Sequence, residues 1–342
     1  MSATPRELVL QALEFRNPER VPRDMWTLPV AHNEHPDEVK AIGDAHPGDI
    51  DAIPGHEPPS PLAEGDPHEE GISRDAWGCE FLNIQRGVHG EVKQPMVLDW
   101  ETDVANIRFP HEWMQIDTDA VARACDATDR FTRAGCCPRP FERLQFLRGS
   151  SPLFMDLADP PAALLEFMRA LHAFNCDVLE TWAETPVDAL TFMDDWGSQG
   201  ALLISPAMWR EYFRPMYADF VQIAHGAGKK LFMHSDGYIA EIYPDLVEIG
   251  IDALNSQIFC MGVEQLEPYA GKITFWGEID RQHLLPNGTL EEIDAAVDSV
   301  AQNLWRDGGC IAQCEFGAGA NPENVRRVFE RWDSVAVTTA AE

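Results

Sequence analysis

Positive charge is scarce in this chain of 342 residues: Lys plus Arg number 26, only five of them Lys, against 57 Asp plus Glu, for a formal net charge of -31. So acidic a surface repels phosphate backbones and anionic headgroups, which argues against nucleic-acid and membrane-surface partners. Long apolar runs are also missing. None approaches the roughly 20 residues that span a bilayer, and the opening MSATPRELVLQALEF reads as a capped helix, not as the core of a signal peptide. The expected location is the cytoplasm. The eight cysteines (79, 125, 136, 137, 176, 260, 310 and 314) contain no C-x-x-C pair, so most are expected to be buried thiols rather than a disulfide framework. No G-x-G-x-x-G or G-x-x-x-x-G-K-[ST] follows a strand, which counts against a nucleotide-binding sheet.

What is present is material for a large core: 45% hydrophobic residues, with ten Trp and seventeen Phe. Thr4-Pro5-Arg6-Glu7 supplies a capping-box start for a helix to about Phe15, and a first strand is expected from Arg23 to Leu28. From about residue 29 to 128 the pattern dissolves into Pro-, Gly-, His- and acid-rich loops. An inserted hairpin from Cys79 to Val92, turning near Arg86-Gly87, is expected to lie over one end of the main domain. From about 129 to 332, short β-type runs alternate with capped helices. Strands are predicted at Phe131 to Gly135, Ala189 to Met193, Leu231 to His234, Ala253 to Ser256, Ile273 to Trp276 and Cys310 to Gln313. Such β-α alternation implies a parallel sheet, and the series approaches eight units, so a single (β/α)8 TIM barrel spanning 1-342 is the expected fold.

In such a barrel the chemistry sits where strands end. The predicted strand ends carry Asp194-Asp195, His234-Ser-Asp236, Asn255-Ser-Gln257, Glu278-Ile-Asp280 and Cys314-Glu315. Residues i and i+2 of a strand share a face, so His234 and Asp236 project together. A histidine, a carboxylate and a thiolate that converge suit zinc, with His234, Asp236, Cys314 and Glu278 as candidate ligands. Each has a plainer alternative. Asp236 could be the partner that orients His234, and Cys314 could be a small buried residue. Glu278 could be a ligand, a general acid or base, or an ion-pair partner of Arg281. Asp194 and Asp195 could cap the next helix or contact substrate.

Four segments in order, RELVLQALEFRNPERVP, DDWGSQGALLISPAMWREYFRPMYADFVQIAHGAGKKLFMHSDG, FWGEIDRQHLLPNGTLEEI and CEFGAGANPENV, resemble the uroporphyrinogen decarboxylase superfamily, which implies a TIM barrel. True decarboxylases carry an M-R-Q-A-G-R motif after the first strand. Here that region reads VPRDMWTLPVAHNE, so porphyrinogen decarboxylation is not expected. The chain is more similar to the corrinoid-dependent methyltransferase branch, several members of which bind zinc through H-x-C plus a distal Cys. His234 matches the His and Cys314 the distal Cys, while Asp236 replaces the middle Cys and makes the site harder.

The expected function is therefore zinc-dependent methyl transfer between a small substrate and a corrinoid protein or methylcobalamin. Asp194 and Glu278 are the candidate catalytic groups, and Asp195, Trp196, Gln257 and Arg86 the candidate substrate contacts. The alternatives are a decarboxylase or lyase for a small carboxylated substrate, using Asp194, Glu278 and Arg23 or Arg86, and a non-catalytic barrel that binds a ligand or a corrinoid protein. A homodimer is compatible with any of them.

Overall fold

The computed structural model describes residues 2–335. Eight parallel strands form one nearly closed barrel: β1 (Arg23–Thr27), β2 (Ile50–Ile53), β6 (Phe131–Ala134), β7 (Ala189–Met193), β8 (Lys230–Ser235), β9 (Ala253–Ser256), β10 (Thr274–Trp276) and β11 (Cys310–Phe316). The three strands between, β3 (Gly71–Arg74), β4 (Glu80–Asn83) and β5 (Glu91–Val92), make a separate antiparallel sheet. Around the barrel the order is β1-β11-β10-β9-β8-β7-β6-β2. The seam between β1 and β2 is bridged by reciprocal bonds: the Asp49 amide donates to the Arg23 carbonyl (2.8 Å), and the Arg23 amide donates to the Asp49 carboxylate (2.7 Å). The chain is thus a (β/α)8 barrel.

Alternation along each strand divides the core in two. Ile50, Phe131, Ala189, Phe232, Ala253, Trp276 and Ile311 point inward and fill the barrel, while their neighbours face the surrounding helices. The N-terminal helix Pro5–Leu13 has the expected Thr4 and Glu7 capping box, and its Val9 and Leu13 join the inner cluster, closing the end opposite the strand C-termini.

The region from 29 to 128 differs from the expectation. It holds helices Pro29–Glu34 and Pro36–Ala45 and also the second barrel strand, β2, inside what reads as loop. This strand is only four residues long, and Pro and Gly flank it on both sides, so its period of two is too short to stand out. The hairpin does form: β4 pairs with β5 and adds to β3. Between Ser205 and His225 the chain forms two helices, Pro206–Tyr212 and Arg214–Gly226, the second opening on Pro215. No helix among the described residues is long and apolar enough to cross a membrane.

Candidate metal and active site

Two strand ends create the centre. On β7 the residues Thr191 and Met193 line the barrel cavity, so continuing the alternation sends Asp195 to the mouth and Asp194 away from it. On β8 Phe232 and His234 point inward, and Asp236 follows in the same phase. The loops after these strands then interlock. The Gly197 amide donates to the Asp236 carbonyl (3.0 Å), the Tyr238 amide to the Ser198 carbonyl (2.8 Å), and the Asp236 amide to Asp195 Oδ1 (2.9 Å). Asp195, His234 and Asp236 thereby bring one ligand atom each within 4.8 Å of one another. His234 Nε2 lies 3.6 Å from Asp195 Oδ1 and 3.5 Å from Asp236 Oδ1.

Neighbouring groups fix these three side chains. Asn255 donates its amide to the Trp276 carbonyl, so its Oδ1 must face His234 and accept the Nδ1 proton at 2.6 Å. That choice of tautomer leaves the Nε2 lone pair directed at the two carboxylates. Arg281 binds Asp236 Oδ2, donates from Nη1 to Glu315 Oε2 at 2.9 Å, and brings Nε to 3.5 Å from Glu278 Oε1. Gln257 donates to Asp236 Oδ1 (3.3 Å) and accepts from the Gly237 amide (3.2 Å). Asp236 is therefore held on its far oxygen by Arg281, while the near one, toward His234, takes only the long bond from Gln257.

The site holds more carboxylates than cations, and burial raises the pKa of several of them. Burial, then the Asp236 charge, raises Asp195. Burial raises Glu315 as well, against the pull of Arg281. Glu142, beside Asp195, is pushed up to about 7 by burial and that neighbour. Glu278 is pushed up to about 8, mainly by burial, and its Oε1 has no hydrogen-bond partner among the described residues. At neutral pH it is a neutral acid able to donate a proton.

The linked effect on stability has a definite sign. Between the ordinary value of 4.5 and about 8 the unfolded chain has lost the Glu278 proton and the folded chain keeps it. Stability from this group is full below pH 4.5 and is lost as the pH climbs to about 8. Glu278→Gln in the metal-free protein is expected to flatten that decline by on the order of a few kcal/mol, read from denaturation midpoints across this pH range. Equal slopes for both proteins would place the titration elsewhere.

Several sequence expectations are corrected. Cys314 is buried but belongs to the helix-facing side of β11, with Cys310, Ala312 and Phe316, whereas Ile311 points into the barrel. Its pairing partner Met25 likewise reaches toward Gly43 in the outer helix layer. It therefore cannot join the ligand atoms at the mouth, and burial raises its thiol pKa. Glu278 is linked to Asp236 through Arg281 and is not one of the three converging groups. Asp194 does not face the cavity. Its carboxylate accepts the amides of Phe141 (2.9 Å) and Glu142 (2.9 Å), at the start of helix Pro140–Arg148, and the Tyr217 hydroxyl (2.6 Å). Trp196 is fully buried, stacked on Phe141 at 3.9 Å and bonded to Tyr217, so it packs the wall rather than touching substrate. Arg86 is exposed on the hairpin and paired with Glu69. Arg23 pairs with Asp333 at the start of β1, the end of the barrel opposite the site.

These placements separate two adjacent aspartates. Asp194→Ala is expected to cost about 2–4 kcal/mol, because it strands buried amides and a hydroxyl. Asp195→Ala should leave the fold near wild type and weaken metal binding. Denaturation together with metal titration of both variants checks this; equal loss of stability in the two would contradict the assignment.

The three-residue cluster fits a divalent metal ion. Two donors bound at about 2.0–2.1 Å to a tetrahedral ion stand roughly 3.3–3.4 Å apart, and the Nε2–oxygen separations are 3.5 and 3.6 Å. One imidazole and two carboxylates would leave further positions open, as in catalytic sites. Two cavities flank the centre. One, of about 430 Å³, is lined by Asp24, Trp26, Arg133, Arg139, His234 and Trp276 among others; the other, of about 210 Å³, is lined by Gln257, Glu278 and Arg281.

Arg133, Arg139 and Glu142 are site residues to which sequence reasoning gave no role, and Asn255 and Glu315 enter it only as strand-end polar groups. For Glu315 a signal existed, since it alternates with Cys314 and must face the other way.

No curated protein matches the chain. A methyltransferase from Methanosarcina mazei is similar in structure, with a TM-score of 0.65 at 14% identity over 97% of this chain and 99% of that one. A glycosylated endo-beta-1,4-xylanase from Gloeophyllum trabeum also aligns, at TM-score 0.44 and 10% identity over 94% and 98% of the two chains. The sequence model of the uroporphyrinogen decarboxylase (URO-D) family matches residues 73–335, from the hairpin through the last helix, and the chain belongs to that family.

Proposed function

We propose that this protein is a zinc-dependent methyltransferase that moves a methyl group between a small substrate and a corrinoid carried by a separate protein. The observation that carries the proposal is the orientation of His234: Asn255 holds Nδ1, and Nε2 faces Asp195 and Asp236 at the mouth of the barrel between two cavities. Zinc bound there would supply Lewis-acid activation of the heteroatom that gives up or accepts the methyl group. The protein's own residues do the rest. Arg281 and Gln257 keep Asp236 aimed at the centre, Trp26 and Trp276 give the larger cavity an apolar wall, and neutral Glu278 stands ready to return a proton to a demethylated heteroatom. A separate carrier would present the corrinoid's cobalt at the mouth of the barrel. The fold shared with the Methanosarcina methyltransferase is compatible with this chemistry.

Incubation with methylcobalamin and candidate acceptors, followed by the cobalamin absorbance, tests the proposal. The zinc-loaded protein is expected to demethylate the cobalamin and the metal-free protein to leave it unchanged. Turnover that is indifferent to zinc would refute the metal's role. A second reading, decarboxylation of a small acid, is favoured by Arg133 and Arg139, which line the same cavity as His234. It requires release of carbon dioxide with no corrinoid present.

A further inference from the structure

The cavity of about 430 Å³ that contains His234 has a polar floor to which the proposed chemistry gives no role. Alternation along β1 turns Met25 to the helix layer and sends Asp24 and Trp26 into the barrel. The Trp26 ring lies 5.3 Å from the His234 ring, centroid to centroid. Asp24 sits one two-residue step deeper, roughly 6–7 Å along the strand. All three residues line this one cavity, so floor and mouth belong to a single space.

Asp24 is 8% exposed, and both indoles donate to the same oxygen, Oδ2: Trp26 Nε1 at 3.0 Å and Trp276 Nε1 at 2.9 Å. Its Oδ1 accepts no hydrogen bond among the described residues, and the exposure that Asp24 keeps is to the cavity it lines. Arg133, in phase with the inward Phe131 on β6, lines the same cavity. Its guanidinium carbon stands 5.6 Å from the Trp276 ring centroid, with no ion-pair partner among the described residues. Burial raises the Asp24 pKa, and the Arg133 charge and the two indoles oppose that rise.

The floor thus offers a free carboxylate oxygen and spare guanidinium donors between indole walls. A carbonyl or an anion would suit Arg133 but meet Asp24 oxygen against oxygen. An ammonium would suit Asp24 but lie against Arg133. A hydroxyl both donates and accepts, so it alone of these groups satisfies the pair.

We infer that Asp24 determines specificity: the floor of the cavity binds a neutral hydroxyl group of the substrate through Asp24 Oδ1, with the apolar body of the substrate against Trp26 and Trp276 and its other end at His234. The inference rests on the proposed function only for what happens at that other end.

The test uses the full chain without metal or corrinoid, so its outcome is independent of methyl transfer. The indole N–H resonances of Trp26 and Trp276, identified by their loss in Trp26→Phe and Trp276→Phe, are followed by NMR while benzyl alcohol, benzaldehyde or benzylamine is added. These probes share one body and differ in the polar group. Benzyl alcohol is expected to shift both resonances saturably and to bind at least about tenfold more tightly than either of the others. Asp24→Asn keeps an oxygen for the indoles and turns the cavity-facing atom into a donor, so benzaldehyde should then bind as well as the alcohol or better. Unmoved resonances in the wild type, or benzaldehyde or benzylamine bound as tightly as the alcohol, would overturn the inference without recourse to any variant. A folded Asp24→Asn protein, checked by circular dichroism, that discriminates as the wild type does would overturn it too.

Discussion

His234→Ala is expected to lower zinc affinity by roughly 100- to 1,000-fold, the share of one ligand in a three- or four-ligand site, while the barrel stays folded. The imidazole sits on the inward face of β8 beside Phe232, where the strand already has its full set of hydrogen-bonded neighbours, β7 and β9. What disappears is the one nitrogen donor in the cluster and the anchor for Asn255 Oδ1. Two aspartates alone, one of them tied to Arg281, make a poor zinc site. Calorimetric titration with zinc, paired with denaturation of the apoproteins, measures both halves. Unchanged affinity would move the metal elsewhere, and an unfolded variant would make His234 a structural residue.

Gly237→Ala should be among the most damaging single-methyl changes in the chain. Gly237 has φ +78, and a Cβ there would lie 2.1 Å from the Gly197 carbonyl oxygen; a Cβ on Gly197 would lie 2.2 Å from the Tyr238 amide nitrogen. Each clash is with backbone, which no rotamer change relieves. The left-handed conformation and the overlap together are expected to cost about 3–5 kcal/mol. Because these loops set Asp195 against Asp236, zinc affinity should fall in parallel. Gly200→Ala is the matched control in the same loop. Nothing lies within 4 Å of its Cβ position, and its effect should stay within about 0.5 kcal/mol. Equal midpoints for Gly237→Ala and Gly200→Ala in chemical denaturation would show that the interlocked loops do not determine the site.

The sequence was legible where a local rule had room to act. Ala189–Met193 and Ala253–Ser256 form strands at the predicted positions, and the capping box at Thr4 opens a helix as its spacing requires. The strand ends did hold the polar centre. The rule of two was sound for His234 and Asp236, but it had to be carried through every strand. Applied to Ala189, Thr191 and Met193, it selects Asp195 over Asp194. Applied to Ile311, it turns Cys314 outward and Glu315 inward.

Other features depended on distant partners. Arg281 gathers Asp236, Glu278 and Glu315 from three different strand ends. Glu142 and Arg139 come to the site because Asp194 pins the start of helix Pro140–Arg148 beneath it. No spacing in the sequence encodes those meetings. The strand β2, four residues among prolines and glycines, becomes evident only from its pairing with β6.

Anomalous X-ray diffraction at the zinc edge from zinc-soaked crystals tests the central claim most directly. A single peak is expected about 2.0–2.2 Å from His234 Nε2 and from one oxygen each of Asp195 and Asp236. A peak at the Cys314 sulfur, or no peak at full zinc loading, would contradict it.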